Sequence, residues 1–178
     1  MNPFIRKGAP EDAEVVALLG RITFRETFGY LFANHAADLS TYLDRTFAVD
    51  KIRRSLGTSR NTYWLALLDG LPVAYAKLKH PSPTPLLKDE APAQLQKIYV
   101  LGEFLKQGIG RPLLHRVLEE AAVRNVDAVW LDVLKENTRA IRFYQQNSFE
   151  ALGDDSYTIG AQTFAFHLMV LRRATDTH

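Results

Sequence analysis

Apolar positions along this chain follow two rhythms. Residues 62–68 and 73–78 are nearly continuous apolar runs on either side of Asp69 and Gly70, the pattern of two strands joined by a tight hairpin turn. Residues 4–7, 94–101, 127–134, 148–157 and 162–171 read as further strands. The stretch 129–134 is apolar at every position except Asp132, as expected of a strand covered on both faces. Helical spacing takes over elsewhere. Pro10, Glu11 and Asp12 suit a helix start, and Val15, Leu18, Leu19, Ile22 and Phe24 predict the buried face that follows. Residues 30–47 read as helical in parts, with a break at Ala33, Asn34 and His35. Asp50 predicts the cap of a short helix that Gly57 ends. Residues 108–124 and 137–147 predict two more helices, the second capped by Asn137, with Ala140, Ile141 and Tyr144 on one face and Phe143 beside it. Pro81, Pro83, Pro85 and Pro92 mark a loop, either a cover for a substrate entrance or an ordered structural excursion.

Composition narrows the class. The 178 residues predict one domain spanning 1–178, and 47% hydrophobic with 24% charged residues is the balance of a soluble globule. No apolar run is long enough to cross a membrane, and the N-terminus lacks a signal-peptide pattern, so a cytoplasmic protein is expected. The chain has no cysteine, which excludes disulfides, thiolate metal sites and an acyl-cysteine intermediate. No metal is expected. A net charge of +2 gives no ground for nucleic-acid binding, and the pairs Arg53-Arg54 and Arg172-Arg173 read as solvated surface.

One junction carries chemistry. The strand containing Ile98, Tyr99 and Val100 runs into Leu105, Lys106, Gln107, Gly108, Ile109, Gly110 and Arg111, and a helix follows. Glycines at a strand-to-helix turn let the backbone bend around an anion, toward which the first helical N–H groups and the helix dipole point. The segment therefore reads as a pyrophosphate cradle. It lacks the Gly-Lys-Ser/Thr of a P-loop and the third glycine of a dinucleotide fold.

The glycine turn, followed by Leu131-Asp132-Val133, Glu136-Asn137 and Ala140-Ile141-Arg142-Phe143-Tyr144 and then Phe149, resembles the GNAT superfamily of acetyl-CoA-dependent N-acetyltransferases over nearly the whole chain. Thr23, Phe24, Arg25, Glu26, Thr27 and Phe28, with the overall layout, look like the bacterial PaiA-type spermidine/spermine acetyltransferases. The resemblance implies an α/β (α+β) fold: a mixed, mostly antiparallel sheet of six to seven strands, with splayed central strands and flanking helices. It departs from the family pattern at Leu105, where Gln or Arg is usual, and at Ser148, where Gly is common.

The same resemblance assigns roles. Main-chain groups from Leu105 to Arg111 would hold acetyl-CoA, with Lys106 or Arg111 compensating for Leu105. Ile98, Tyr99 and Val100 would pair with the pantetheine arm, and the Val100 N–H would polarise the thioester. Asn137 and Ala140 would line the arm, and Tyr144 would protonate the leaving thiolate. The strand before the cradle offers Gln94 and Gln96 but no carboxylate, so the base stays open among Glu26, His167 and water. Tyr157 and Trp64 are candidate acceptor-site residues. The expected acceptor is a small primary amine, with a polyamine as the PaiA-like reading. Asp38, Asp44, Asp89, Glu90, Asp154 and Asp155 are the carboxylates that could serve it. A protein N-terminus, a CoA-binding sensor without turnover and a nucleotide-binding protein are the alternatives. A homodimer is expected from the apolar last strand.

Overall fold

The computed structural model describes residues 3–88 and 90–173. Seven strands form one sheet in the order β1-β2-β3-β4-β5-β7-β6, where β1 is Phe4–Lys7, β2 Asn61–Leu68, β3 Leu71–Lys79, β4 Pro92–Val100, β5 Ala128–Leu134, β6 Glu150–Ile159 and β7 Gln162–Arg172. Every neighbouring pair is antiparallel except β4 and β5, which run parallel. The hairpin of β2 and β3 turns at Asp69 (φ 48°) and Gly70 (φ 82°), the doubly left-handed turn whose twist matches the strands.

Helices cover both faces. On one side α4 (Gly110–Val123) and α5 (Thr138–Gln146) bury Leu113, Leu114, Val117 and Tyr144 against Ala76, Leu95, Leu131 and Val133. On the other, α1 (Ala13–Phe28), α2 (Ala36–Thr46) and α3 (Val49–Leu56) close over Tyr63, Leu65 and Tyr75. No described helix is long and apolar enough to cross a membrane.

Several expectations need correction. The buried stripe of α1 is Ala13, Val16, Ala17, Leu19, Gly20, Thr23 and Phe24, whereas Leu18 is 59% and Ile22 38% exposed. Small residues set that rotation: a Cβ on Gly20 would lie 2.3 Å from the Phe47 ring, so the helix packs through its small side chains. Ala48, not Asp50, is the N-cap of α3, and Asp50 pairs with Arg53 at 3.0 Å. The proline-rich loop is a structural excursion. The Trp130 indole N–H donates to the Ser82 carbonyl at 2.7 Å, and Leu87 packs on Ala128, Leu168 and Val170. The last strand, β7, lies inside the sheet between β5 and β6. Its faces are apolar because Leu168 and Val170 pack with Leu87 and Trp130 on one side and Met169 enters the core beneath α4 and α5 on the other, so those residues need no second copy to cover them.

Candidate active site

The parallel pair of strands is short by design of the backbone. Pro92, Ala93 and Gln94 pair with Ala128, Val129 and Trp130, and beyond them β4 and β5 separate. The cause lies on β4. Its register against β3 slips between Lys77 and Leu78, which face Lys97 and Leu95, so Gln96 is the extra residue of a bulge. The bulge reverses the facing of β4. Ala93 and Leu95 before it, and Ile98 and Val100 after it, all pack toward α4, while Tyr99 packs toward α1. The Leu101 N–H donates to the Val73 carbonyl at 2.9 Å. Because successive N–H groups on a strand alternate in direction, those of Val100 and Ile98 point away from β3 and into the split.

A groove of about 930 Å3 occupies the split on the α4 and α5 side. Its far end is the turn into α4. Lys106 (φ 65°) and Gly108 (φ 78°) are both left-handed, a conformation free to glycine and costing lysine about 1 kcal/mol. Among the described residues, the N–H groups of residues 106–111 find no protein acceptor, which leaves a concave set of donors beneath the positive end of a helix. The preceding turn is pinned from α1, where Glu26 accepts the Gly102 N–H at 2.9 Å. Glu26 thus anchors this turn, and it lines neither cavity.

The sequence-derived cofactor set converges. Ile98, Tyr99, Val100, Leu105, Lys106, Gly108, Ile109, Gly110, Arg111, Asn137, Ala140 and Tyr144 all line the groove. Gln107 does not: its side chain turns out to solvent and donates to the Glu103 carbonyl at 3.0 Å. The Asn137 side-chain oxygen caps α5 by accepting the Ala140 N–H at 3.1 Å, and its amide nitrogen has no partner among the described residues and is free for a ligand. Tyr144 is 8% exposed, between the rings of Phe143 and Phe149. Burial pushes its phenol pKa upward, so it carries its proton at every physiological pH. Arg139 and Arg142 also border the groove. Sequence reading missed them, although their spacing of three places both on one side of the helix.

A second chamber of about 510 Å3 lies on the α1 side of the same split. Phe24, Phe28, Tyr42, Phe47 and Phe164 form much of its wall, and it shares Gln96, Lys97, Tyr99 and Asp132 with the groove. Its roof joins α2 and the turn before it to the β6–β7 hairpin: Asp38 accepts the Ala161 N–H at 3.2 Å, and the rings of Phe32, in that turn, and Phe164 lie 5.3 Å apart. Tyr157 lines this chamber, as expected. Trp64 does not, because it is buried in the core beneath α4. His167 lines neither cavity and bonds Asp154 at 2.9 Å.

Charge within the chamber runs against the polyamine expectation. Asp44 pairs with Arg21, Glu90 with Arg172, and Asp154 with Lys135. Asp38 is engaged at the hairpin, Asp155 accepts the Ser156 N–H, and Asp89 lies outside the described residues. Asp132 is the only carboxylate among the described lining residues, which also include Arg45, Lys51, Lys77 and Lys97. Asp132 receives a 3.4 Å hydrogen bond from the Gln94 amide on one oxygen, and its other oxygen has no partner. Burial, helped by the charge of Asp155, pushes its pKa up to about 6. Sequence reading passed over this residue as a base, although its isolation within an apolar strand was the available signal.

A family model described as the acetyltransferase (GNAT) family matches residues 23–149. An uncharacterised N-acetyltransferase of Mycobacterium tuberculosis is 29% identical over 132 residues, 74% of this chain and 80% of that protein. The ribosomal protein bS18-alanine N-acetyltransferase of Escherichia coli is 36% identical over a shorter stretch of 66 residues, 37% of this chain and 43% of that protein. Among solved structures, the PaiA N-acetyltransferase of Thermoplasma acidophilum in complex with coenzyme A superposes with a TM-score of 0.72 at 20% identity, covering 97% of this chain and 100% of that one.

Proposed function

Because the chain belongs to the acetyltransferase (GNAT) family, whose members move an acetyl group from acetyl-CoA to an amine, we propose that it acetylates the primary amine of a small cytoplasmic molecule. The observation that carries this reading is the pair of cavities meeting at one split in the sheet, with Gln96, Lys97, Tyr99 and Asp132 common to both. A donor in the groove and an acceptor in the chamber reach each other only there. The roof made by α2 and the hairpin favours a small acceptor over a protein N-terminus.

In the reading proposed here, each group has one task. The free N–H groups of residues 106–111 hold the pyrophosphate, and Lys106, Arg111, Arg139 and Arg142 supply cations around it. Ile98 and Val100 offer their N–H groups to the pantetheine arm and the thioester carbonyl, in the manner of an added strand. The Val100 N–H then stabilises the oxyanion that forms when the amine attacks. Asp132, ionised above about pH 6, accepts the proton that the incoming ammonium must lose. Tyr144 donates a hydrogen bond, and then its proton, to the departing thiolate. Its raised pKa is matched by the same dry surroundings, which raise the basicity of the thiolate.

The test is thermal unfolding with acetyl-CoA, CoA, ATP and NAD, followed by thiol release from acetyl-CoA with a panel of amines. Stabilisation by both CoA species together with release on adding an amine is expected. Absence of CoA stabilisation at millimolar ligand would overturn the cradle, and stabilisation without release for any amine would overturn the transfer reading.

A further inference from the structure

Lys77 and Lys97 are an unusual pair to find at the floor of a binding chamber. Their Cα atoms are directly opposite in the β3–β4 register, where like charges repel. Both are half-buried, and both ammonium groups lie against aromatic rings: Lys77 is 5.4 Å from the Tyr63 ring, and Lys97 is 5.6 Å from that of Phe47. The charges acting on Lys77 are those of Lys97, Lys79 and Lys51, and the one acting on Lys97 is that of Lys51. Burial, then these neighbours, lowers both pKa values to about 8. Tyr75, on the same face of β3, also lines the chamber, with its hydroxyl sealed beneath α1, 3.1 Å from where a Cβ on Gly20 would lie. Two cations with no acidic partner among the described residues thus stand side by side in an aromatic box whose only carboxylate among the described lining residues, Asp132, is on the other side of the split.

We infer that the acceptor is a primary amine with an apolar or aromatic body that also carries an acidic group, a carboxylate or a phosphate, held by Lys77 and Lys97. The inference rests on the transfer reading above and names its substrate class. An anion relieves the repulsion between the two lysines. The aromatic walls take the body, and the amine is left for Asp132 and the thioester. A polyamine would bring further positive charge to the cationic wall instead.

The experiment measures binding to the CoA-saturated protein by titration calorimetry, with amines matched in body and differing in the acid. Phenylalanine is compared with phenethylamine, and 4-(aminomethyl)benzoate with benzylamine, with spermidine as a further probe. In at least one pair the acidic member should bind about 10- to 100-fold more tightly, the range for hydrogen bonds to charged groups. Lys97→Met and Lys77→Met, each checked for folding by thermal unfolding, should each collapse that ratio toward one. Equal or weaker binding of both acidic members, tighter binding of spermidine, or a ratio unchanged in both variants would overturn the inference. Calorimetry keeps this outcome separate from turnover. Selective binding without thiol release sinks the transfer reading and leaves the anion site standing. Release from all amines without preference does the reverse.

Discussion

Replacing Asp132 with asparagine should make the protein more stable and far less active, and the structure sets the size of both effects. Its carboxyl goes from an ordinary pKa of 3.8 to about 6 on folding. At about 1.36 kcal/mol per unit, that is roughly 3 kcal/mol against the ionised form. Asp132 is open in part to the split, so solvent screening reduces the figure to about 1 kcal/mol. The sign follows from proton counting. Below 3.8 the group is protonated in both states and costs nothing. Between 3.8 and about 6 the unfolded chain has released its proton and the folded chain has not, so stability falls as pH rises. Above about 6 the loss is constant. Asparagine is never charged and can still accept from the Gln94 amide. Asp132→Asn should therefore match the parent at about pH 4 and gain about 1 kcal/mol at about pH 8, or about 2–4 °C in Tm for a chain of this size. The same variant should lose about 100- to 1,000-fold in kcat/KM, within the range for a general base. The parent's kcat/KM should rise through about pH 6 as Asp132 ionises, and the variant should lack that limb. A higher limb, belonging to the acceptor's own ammonium, should remain in both. Activity within about threefold of the parent, an unchanged limb, or no gain in stability at neutral pH would refute the assignment.

Tyr144→Phe keeps the buried ring, so CoA affinity and Tm should hold while kcat falls by about 10- to 100-fold; fluorescence titration and steady-state kinetics separate the two. Gly108→Ala meets no neighbour but must sit at φ 78°, so it should cost about 1 kcal/mol and weaken CoA binding in the same titration. Gly110→Ala places its Cβ 3.5 Å from the Phe143 ring, an ordinary contact, and should leave stability within about 0.5 kcal/mol. Gly20→Ala drives a Cβ to 2.3 Å from Phe47. It should destabilise by about 1–3 kcal/mol and raise KM for the amine without changing CoA affinity, because Phe47 is a wall of the acceptor chamber.

What the sequence made legible was local. Asp69-Gly70, Asn137 and the glycines near 108 each constrain their own backbone, and each stands where the pattern put it. The cofactor groove follows from such local signals strung along β4, the turn and α5. The acceptor chamber was illegible because its walls come from α1, α2, α3, β3, β4, β5 and the β6–β7 hairpin, and no periodicity states which of them converge. The error on α1 has the same origin. Leu18 and Ile22 match an apolar template, but the helix turns on Gly20 and Ala17 because only small side chains admit Phe47 so closely. The apolar faces of β7 record packing within the chain, Leu168 and Val170 against Leu87 and Trp130 and Met169 in the core beneath α4 and α5.

The bulge at Gln96 explains why one strand borders two cavities. Had β4 kept a regular register, it would have continued to pair with β5, and neither cavity would exist. One extra residue twists β4 away and exposes the N–H groups of Ile98 and Val100 within the sheet. An unpaired inner edge is a liability in most proteins, but here it lies beside the free amides that open α4, so an extended ligand with its own amides and a pyrophosphate end satisfies both at once. The same residue decides which side chains leave by the other face. Past the bulge, Lys97 and Tyr99 turn toward the acceptor chamber while Ile98 and Val100 pack under the groove. Main-chain donors in the split and the side chains of Lys97 and Tyr99 on the chamber face are thereby set beside one bulge, where the proposed transfer would bring the two ligands together.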